Sequence, residues 1–377
     1  MRPIYLDNHS TTRVDDRVLA AMLPFFTEHY GNAASVTHSY GWEAEAAVKQ
    51  ARETIAEAIH ATPEEIIFTS GATEANNLAI KGVAEAYFNQ GRHIITVQTE
   101  HNAVLDPCRY LESLGFEVTY LGVDRFGLID LTELEKAMRD DTILVSVMAA
   151  NNEIGVIQPI DKIGELCRSR NILFHTDAAQ AIGKIPLTVH NVDLMSITGH
   201  KLYAPKGIGA LYVRRRNPRV QLSAQLHGGG HERGMRSGTL YTPLIVGLGE
   251  AIEIADPISE AMHVGKLRDR LWEQLQIEGV HLNGHPTQRL PGNLNLSIEG
   301  VDGQALLLGL QPTIAVSSGS ACTSTKIEPS HVLSAIGVPK ELAFASIRFG
   351  IGRFNTEEDI DRAAHAVQET VDSLRQI

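Results

Sequence analysis

Short apolar runs alternate with helical patterns through the first two-thirds of the chain. Ile66-Ile67-Phe68 precedes a helical stretch from about Thr73 to Asn89, and Ile94-Ile95-Thr96-Val97 precedes one near Val104 to Leu114. Val118-Thr119-Tyr120-Leu121 and Ile143-Leu144-Val145-Ser146-Val147 follow, then a helix near Ile160 to Arg170 and the run Ile172-Leu173-Phe174. Leu194-Met195-Ser196-Ile197 and Ala210-Leu211-Tyr212-Val213 close the series. This alternation predicts an α/β domain with a largely parallel sheet. Upstream, Val48, Ala51, Ile55 and Ile59 recur at helical spacing and give one apolar face.

The pattern changes near Asp256-Pro257, after which helix, short strands and a final helix are expected. Thr356 can cap that last helix with Asp359 three residues on. Ile360, Ala363, Val367, Val371 and Leu374 form its buried stripe. The expected division is a large α/β domain over 15–255 and a smaller α+β domain from 1–14 and 256–377. At 377 residues, two cores are the better expectation than one.

Composition narrows the function classes. Apolar content of 43% and charged content of 21% suit a soluble globular chain. A net charge of -12 argues against sequence-independent nucleic-acid binding. The one basic run, Arg214-Arg215-Arg216 with Arg219, reads as a solvated loop. No stretch approaches the ~20 apolar residues of a membrane helix. The N-terminus lacks a signal-peptide core, so a cytoplasmic protein is expected. Three cysteines without a CxxC pair (Cys108, Cys167 and Cys322) favour neither a disulfide framework nor structural zinc.

Ligands of open α/β sheets sit outside the carboxyl ends of the strands. The segments at those ends are polar: Ser70-Gly71-Ala72-Thr73, Glu100-His101-Asn102, Asn151-Asn152-Glu153, Asp177-Ala178-Ala179-Gln180 and Gly199-His200-Lys201. Five such loops on one edge predict a site. Ser70 to Thr73 opens a helix and suits either a phosphate on free N–H groups or a plain side-chain cap. Asp177 suits either a cationic ring nitrogen or a helix cap. Lys201 is favoured over Lys206 as a partly desolvated, nucleophilic amine.

Cys322 lies in the small, polar run Ser317 to Thr325, which fits an exposed thiol on a mobile loop. Cys108 and Cys167 fall within helical patterns and read as packing. Arg348, on an expected strand, suits either a substrate carboxylate or an ion pair. The glycine-rich stretch Gly228 to Gly234 needs unusual backbone angles, as an interface or lid loop.

Taken in order, Tyr5-Leu6-Asp7-Asn8, the five strand-end segments, Arg236-Ser237-Gly238-Thr239 and Ser317 to Cys322 resemble the cysteine desulfurases. These are pyridoxal-phosphate enzymes of fold type I, and the resemblance is to the iron–sulfur assembly and nitrogen-fixation branch. It implies a mainly parallel central sheet with helices on both faces, and a smaller α+β domain carrying a long cysteine loop at about 317–330.

The resemblance also implies roles. Lys201 would bond the cofactor, Asp177 would pair with its ring nitrogen, and Gln180 would contact its ring hydroxyl. His101 would stack on the ring and move protons. Ala72, Thr73, Thr198 and His200 would bind phosphate, and Asn152 would touch both cofactor and substrate. Thr239 would reach the phosphate of a partner subunit, which implies a homodimer. Asn152 and Arg348 would hold the carboxylate of L-cysteine. Cys322 would accept its sulfur as a persulfide, alanine being released, and would pass that sulfur to an iron–sulfur scaffold protein or another acceptor. The same cysteine is a candidate transient ligand of a [2Fe-2S] cluster shared with that scaffold.

A free thiol has a pKa of about 8.5, so thiolate formation needs help, and His101 is the candidate to take that proton. His9-Ser10, Arg13 and Ala33-Ala34 depart from the usual family pattern. Alternatives are a selenocysteine lyase, which needs no Cys322, an aminotransferase of the same fold, and a non-catalytic scaffold on it.

Overall fold

The computed structural model describes residues 2–318 and 328–376. Cys322 therefore lies outside the described residues. Strand β1 (Ile4–Tyr5) opens the chain. The large sheet then forms from β2 (Ile66–Thr69), β3 (His93–Val97), β4 (Glu117–Leu121), β5 (Thr142–Ser146), β6 (Leu173–Asp177), β7 (Leu194–Thr198) and β8 (Gly209–Val213). Its order is β2-β8-β7-β6-β5-β3-β4. Only β8 runs against its neighbours, β2 and β7. The carboxyl ends of β2, β3, β5, β6 and β7 consequently share one edge.

Alternation along these strands splits the side chains between two cores. Phe68, Ile95, Val97, Val145, Phe174, Met195 and Tyr212 face the helices Ser39–Ala58, Ile160–Ser169 and Thr242–Glu253. Ile67, Ile94, Leu144, Leu173, Leu194 and Leu211 face Ala72–Ala86 and Asn102–Ser113. Strands buried on both faces carry continuous apolar runs, which is why these strands were legible. Cys108 and Cys167 pack in these two cores, fully buried, as expected.

The last third adds β9 (Val280–Leu282), β10 (Asn293–Ile298), β11 (Ile314–Ala315), β12 (Ser317–Ser318) and β13 (Ser346–Gly350). An antiparallel sheet of order β12-β13-β10-β9 is covered by the helices Pro257–Gln274 and Glu357–Arg375. Their shared core includes Leu271, Leu296, Phe349, Ile360 and Val367, together with Ile4 and Leu6. The expected Thr356–Asp359 capping box is present. The N-terminal segment joins this part of the fold, since β1 pairs in parallel with β11.

The basic run departs from its expected solvation. Arg214 donates from Nη2 to the carbonyls of Val189, His190 and Val192 and pairs with Asp193 at 2.9 Å, while Arg216 and Arg219 are exposed. Three fixed carbonyls and a carboxylate draw this guanidinium out of water.

Candidate active site

The five strand-end segments meet at one cavity of about 620 Å3 at the carboxyl edge of the large sheet. Ala72, Thr73, His101, Asn152, Asp177, Gln180, Thr198, His200, Lys201 and Arg348 all line it. Thr239 does not: it is exposed and away from the cavity walls. His9, Ser10, Thr11 and Lys206 line it too, without having been assigned roles in the sequence.

Lys201 follows β7 in a turn pinned to the N-terminal segment. The His200 carbonyl accepts from Thr12 N at 2.8 Å and from the Thr11 and Thr12 hydroxyls. Burial lowers the proton affinity of the Lys201 amine, Asp177 raises it, and Arg348 lowers it further. The net direction is downward, toward a nucleophilic neutral amine. Burial also holds His200 neutral, with a pKa of about 4.

Asp177 ends β6 beside β7. Its Oδ2 accepts from Asn76 Nδ2 at 2.7 Å and its Oδ1 from Ala179 N at 2.8 Å. Asn76 is fully buried in the helix Ala72–Ala86. Asn77 follows it directly, so the local sequence does not mark which of the two amides is buried. Glu100 is also buried, with Oε1 accepting from Met148 N. Burial, then Asp177, pushes its carboxyl well above the ordinary range.

The helix Ala72–Ala86 begins without a side-chain cap. The plain-cap reading of Ser70 and Thr73 therefore fails, and the first N–H groups face the cavity mouth unassigned. Gly71 takes φ 151°, a value L side chains rarely adopt. Gly209 must also lack a side chain, because a Cβ there would lie 2.7 Å from the Gly71 Cα.

His101 caps the next helix, its Nδ1 accepting from Ala103 N at 3.0 Å. The ring proton of the neutral imidazole therefore sits on Nε2. Burial first, then Lys201, lowers the proton affinity of the ring. Arg348, on β13, donates from Nη1 to the Asn152 carbonyl at 2.8 Å and from Nη2 to Asp7 and Ser317, each at 2.9 Å. Its Nε is buried without a hydrogen-bond partner among the described residues. The ion pair envisaged for Arg348 thus forms, and the same side chain lines the cavity.

A half-buried lysine amine, a carboxylate at the end of the adjacent strand and an uncapped helix N-terminus in one cavity fit a pyridoxal-phosphate enzyme of the α/β fold. A family model, "Aminotransferase class-V", matches residues 4–363. "Cysteine desulfurase IscS" of Shewanella sp. (strain MR-4) is 57% identical over all of this chain and 94% of its own length. "Cysteine desulfurase" of Mus musculus is 56% identical over all of this chain and 83% of its own. A solved "NIFS-LIKE PROTEIN" superposes with TM-score 0.91 at 41% identity over the whole of both chains. A structure titled "SspA in complex with cysteine" gives TM-score 0.83 at 39% identity over 94% of this chain and 100% of that one. The chain belongs to the class-V aminotransferases and, within them, to the cysteine desulfurases.

Its cofactor is pyridoxal phosphate, and the donor set fits that group. Uncapped N–H groups at residues 72–74 with Thr198 and His200 suit the phosphate, Asp177 a ring nitrogen, and the Lys201 amine the aldehyde carbon.

Proposed function

We propose that this enzyme converts L-cysteine to L-alanine and leaves the sulfur as a persulfide on Cys322. The observation that carries the reading is the cavity that Lys201 shares with Asp177, whose charge acts on the amine. The bound cofactor supplies an electron sink for the bond electrons released at the substrate Cα. Arg348 and Asn152 hold the substrate carboxylate, which places Cα beside Lys201. The neutral Lys201 amine takes the Cα proton and later returns a proton to the carbon skeleton. The Cys322 thiolate attacks the substrate sulfur, and the Cβ–S bond breaks with its electron pair going to carbon. That carbon gains a proton and leaves as alanine.

His101 acts as a hydrogen-bond donor from Nε2–H. Its Nδ1 is already engaged by Ala103, which argues against the proton-acceptor role anticipated for it.

The assembled enzyme is a homodimer in the cytoplasm. Leu23, Phe26, Tyr30, Trp42 and Tyr241 are exposed large apolar side chains on and between the N-terminal helices and beside Thr239, the kind of surface a partner covers. Thr239, which does not line its own cavity, then serves the phosphate site of the partner. No helix among the described residues is long and apolar enough to cross a membrane. Residues 1–14 and 256–377 form the smaller unit and 15–255 the larger, a division supported by the cluster that packs Ile4 and Leu6 with residues of 264–371, while Leu290 and the cluster of Ile154 and Val156 with Val332 and Leu333 join the two units. Sulfur passes from Cys322 to an iron–sulfur scaffold protein, where the same thiol transiently ligates a [2Fe-2S] cluster.

The test is L-cysteine turnover by the wild type and by Cys322→Ser, with alanine and sulfide counted under reducing conditions. Equal alanine and sulfide from the wild type, with neither from the variant, is the expected result. Turnover by the variant would favour a lyase or aminotransferase instead.

A further inference from the structure

Gln180 is gripped on both lobes of its amide. Its Nε2 donates to the His9 carbonyl at 2.8 Å. Its Oε1 faces Lys184 Nζ at 3.2 Å and His9 Nδ1 at 3.1 Å. A backbone carbonyl only accepts, so the nitrogen of the amide must face His9 O. The oxygen then faces the amine and the imidazole, and both must donate to it. Neutral His9 therefore carries its proton on Nδ1, which accounts for a buried Nε2 without a hydrogen-bond partner among the described residues. Three of the four positions of the Gln180 amide are filled by these contacts. The fourth, the second N–H on Nε2, has no hydrogen-bond partner among the described residues, and Gln180 lines the cavity.

Lys184 has no carboxylate within ion-pair distance among the described residues. Burial, then Lys201, lowers its amine to about 7, Glu260 opposes this, and Arg348 adds to it. A lysine amine placed in the protein interior without a carboxylate has a cost that surface placement would avoid. Among the described residues its side chain hydrogen-bonds to Gln180 alone.

We propose that Lys184 is a positioning residue for the reaction, which with His9 locks the Gln180 amide so that a single N–H is presented to the ring oxygen of the cofactor. This rests on the reading that Gln180 meets that ring. A donor there stabilises the oxygen anion and lowers the pH at which the bound chromophore loses its proton.

The readout is the pH midpoint of the visible absorption of the holoenzyme, without substrate. Gln180→Ala is expected to raise it by about half a unit to one unit. Lys184→Met is expected to raise it by a similar amount. The double variant is expected to match the single ones, because residues acting through one contact are not additive. Lys184→Gln, which keeps a donor for Oε1, is expected to stay near the wild-type midpoint, and it stands in should Lys184→Met fold poorly. Additive shifts would mean that Lys184 acts by its own charge, which overturns the proposal. So would a shift in Gln180→Ala with none in Lys184→Met, or equal shifts in Lys184→Met and Lys184→Gln. An unmoved Gln180→Ala would instead overturn the reading that Gln180 meets the ring.

Discussion

Asp7 Oδ1 and Arg348 Nη2 lie 2.9 Å apart, a largely enclosed ion pair that ties the N-terminal segment to strand β13 at the cavity wall. Ser317 shares both partners, donating to Asp7 Oδ1 at 2.7 Å. The guanidinium is thereby fixed before any substrate arrives, and Asp7 is what fixes its Nη2 arm. Asp7→Asn keeps the shape and removes the charge. The KM for L-cysteine is expected to rise about tenfold, the loss of a charge-assisted hydrogen bond, with kcat within about twofold. Steady-state alanine formation measures both. An unchanged KM would mean that Arg348 does not hold the substrate carboxylate.

Asn76 supports Asp177 from beneath. Asn76→Leu is close in volume and leaves Asp177 Oδ2 without its 2.7 Å donor. The affinity for pyridoxal phosphate is expected to fall about tenfold, read by titrating cofactor-depleted protein with pyridoxal phosphate. Unaltered affinity would show that Asp177 needs no support from Asn76.

These two predictions differ in how far the sequence anticipated them. Lys201 and Asp177 were legible because each follows or ends a short strand marked by its apolar residues, and strand ends place ligands; Arg348 was legible as a lone cation on the short strand Ser346–Gly350. Asn76 was not, since its partner is 101 residues away and nothing local distinguishes it from a helix-surface amide. His9 and Gln180 are 171 residues apart, and His9 stood out only as a departure from the family pattern. The missing cap at Gly71 could not be read either, because Ser70 and Thr73 are good capping residues by type and only backbone geometry disqualifies them. Arg214 was misjudged for the converse reason: a run of arginines looks solvated unless the three carbonyls that one of them meets are known.

The glycine-rich loop is likewise an anchor. Glu232, at φ 50°, buries its carboxylate against Arg52 at 2.7 Å and accepts from Phe68 N at 2.7 Å. Glu232→Ala strands the Arg52 charge and one strand N–H. A loss of about 3–5 kcal/mol is expected by urea denaturation, and a loss below about 1 kcal/mol would rule the anchor out.

His175 is held between Ser146 Oγ at 2.8 Å and Ser196 Oγ at 2.9 Å, beneath Asp177. Burial depresses its pKa from 6.5 to about 4, against a raising effect of Asp177. Between those values the unfolded chain binds more protons than the folded one. Its contribution is therefore full above pH 6.5 and is lost as the pH falls toward 4, by about 3 kcal/mol. Urea denaturation of the holoenzyme at pH 7.5 and pH 5 should show a steeper loss in the wild type than in His175→Asn. Parallel losses would show that His175 is not the titrating group.

His101 has two separable duties. Its Nδ1 caps the helix Asn102–Ser113, and its Nε2–H faces the cavity. Asparagine is itself a good N-cap, so His101→Asn keeps the first duty and removes the second. The melting temperature and the visible absorption of the bound cofactor are expected to stay near wild type while kcat falls about 100-fold or more. His101→Ala loses both duties, so it should show the same loss of kcat with a further stability cost of about 1 kcal/mol. The pair also separates a donor from an acceptor. A proton acceptor at Nδ1 would have to release Ala103 N in every turnover, so the slow step would include opening of the first helical turn. Weakening that turn with Asn102→Gly would then raise kcat in the wild type. A donor at Nε2 leaves the cap intact, so Asn102→Gly should lower stability and leave kcat within about twofold. A wild-type kcat in His101→Asn would remove His101 from the chemistry altogether.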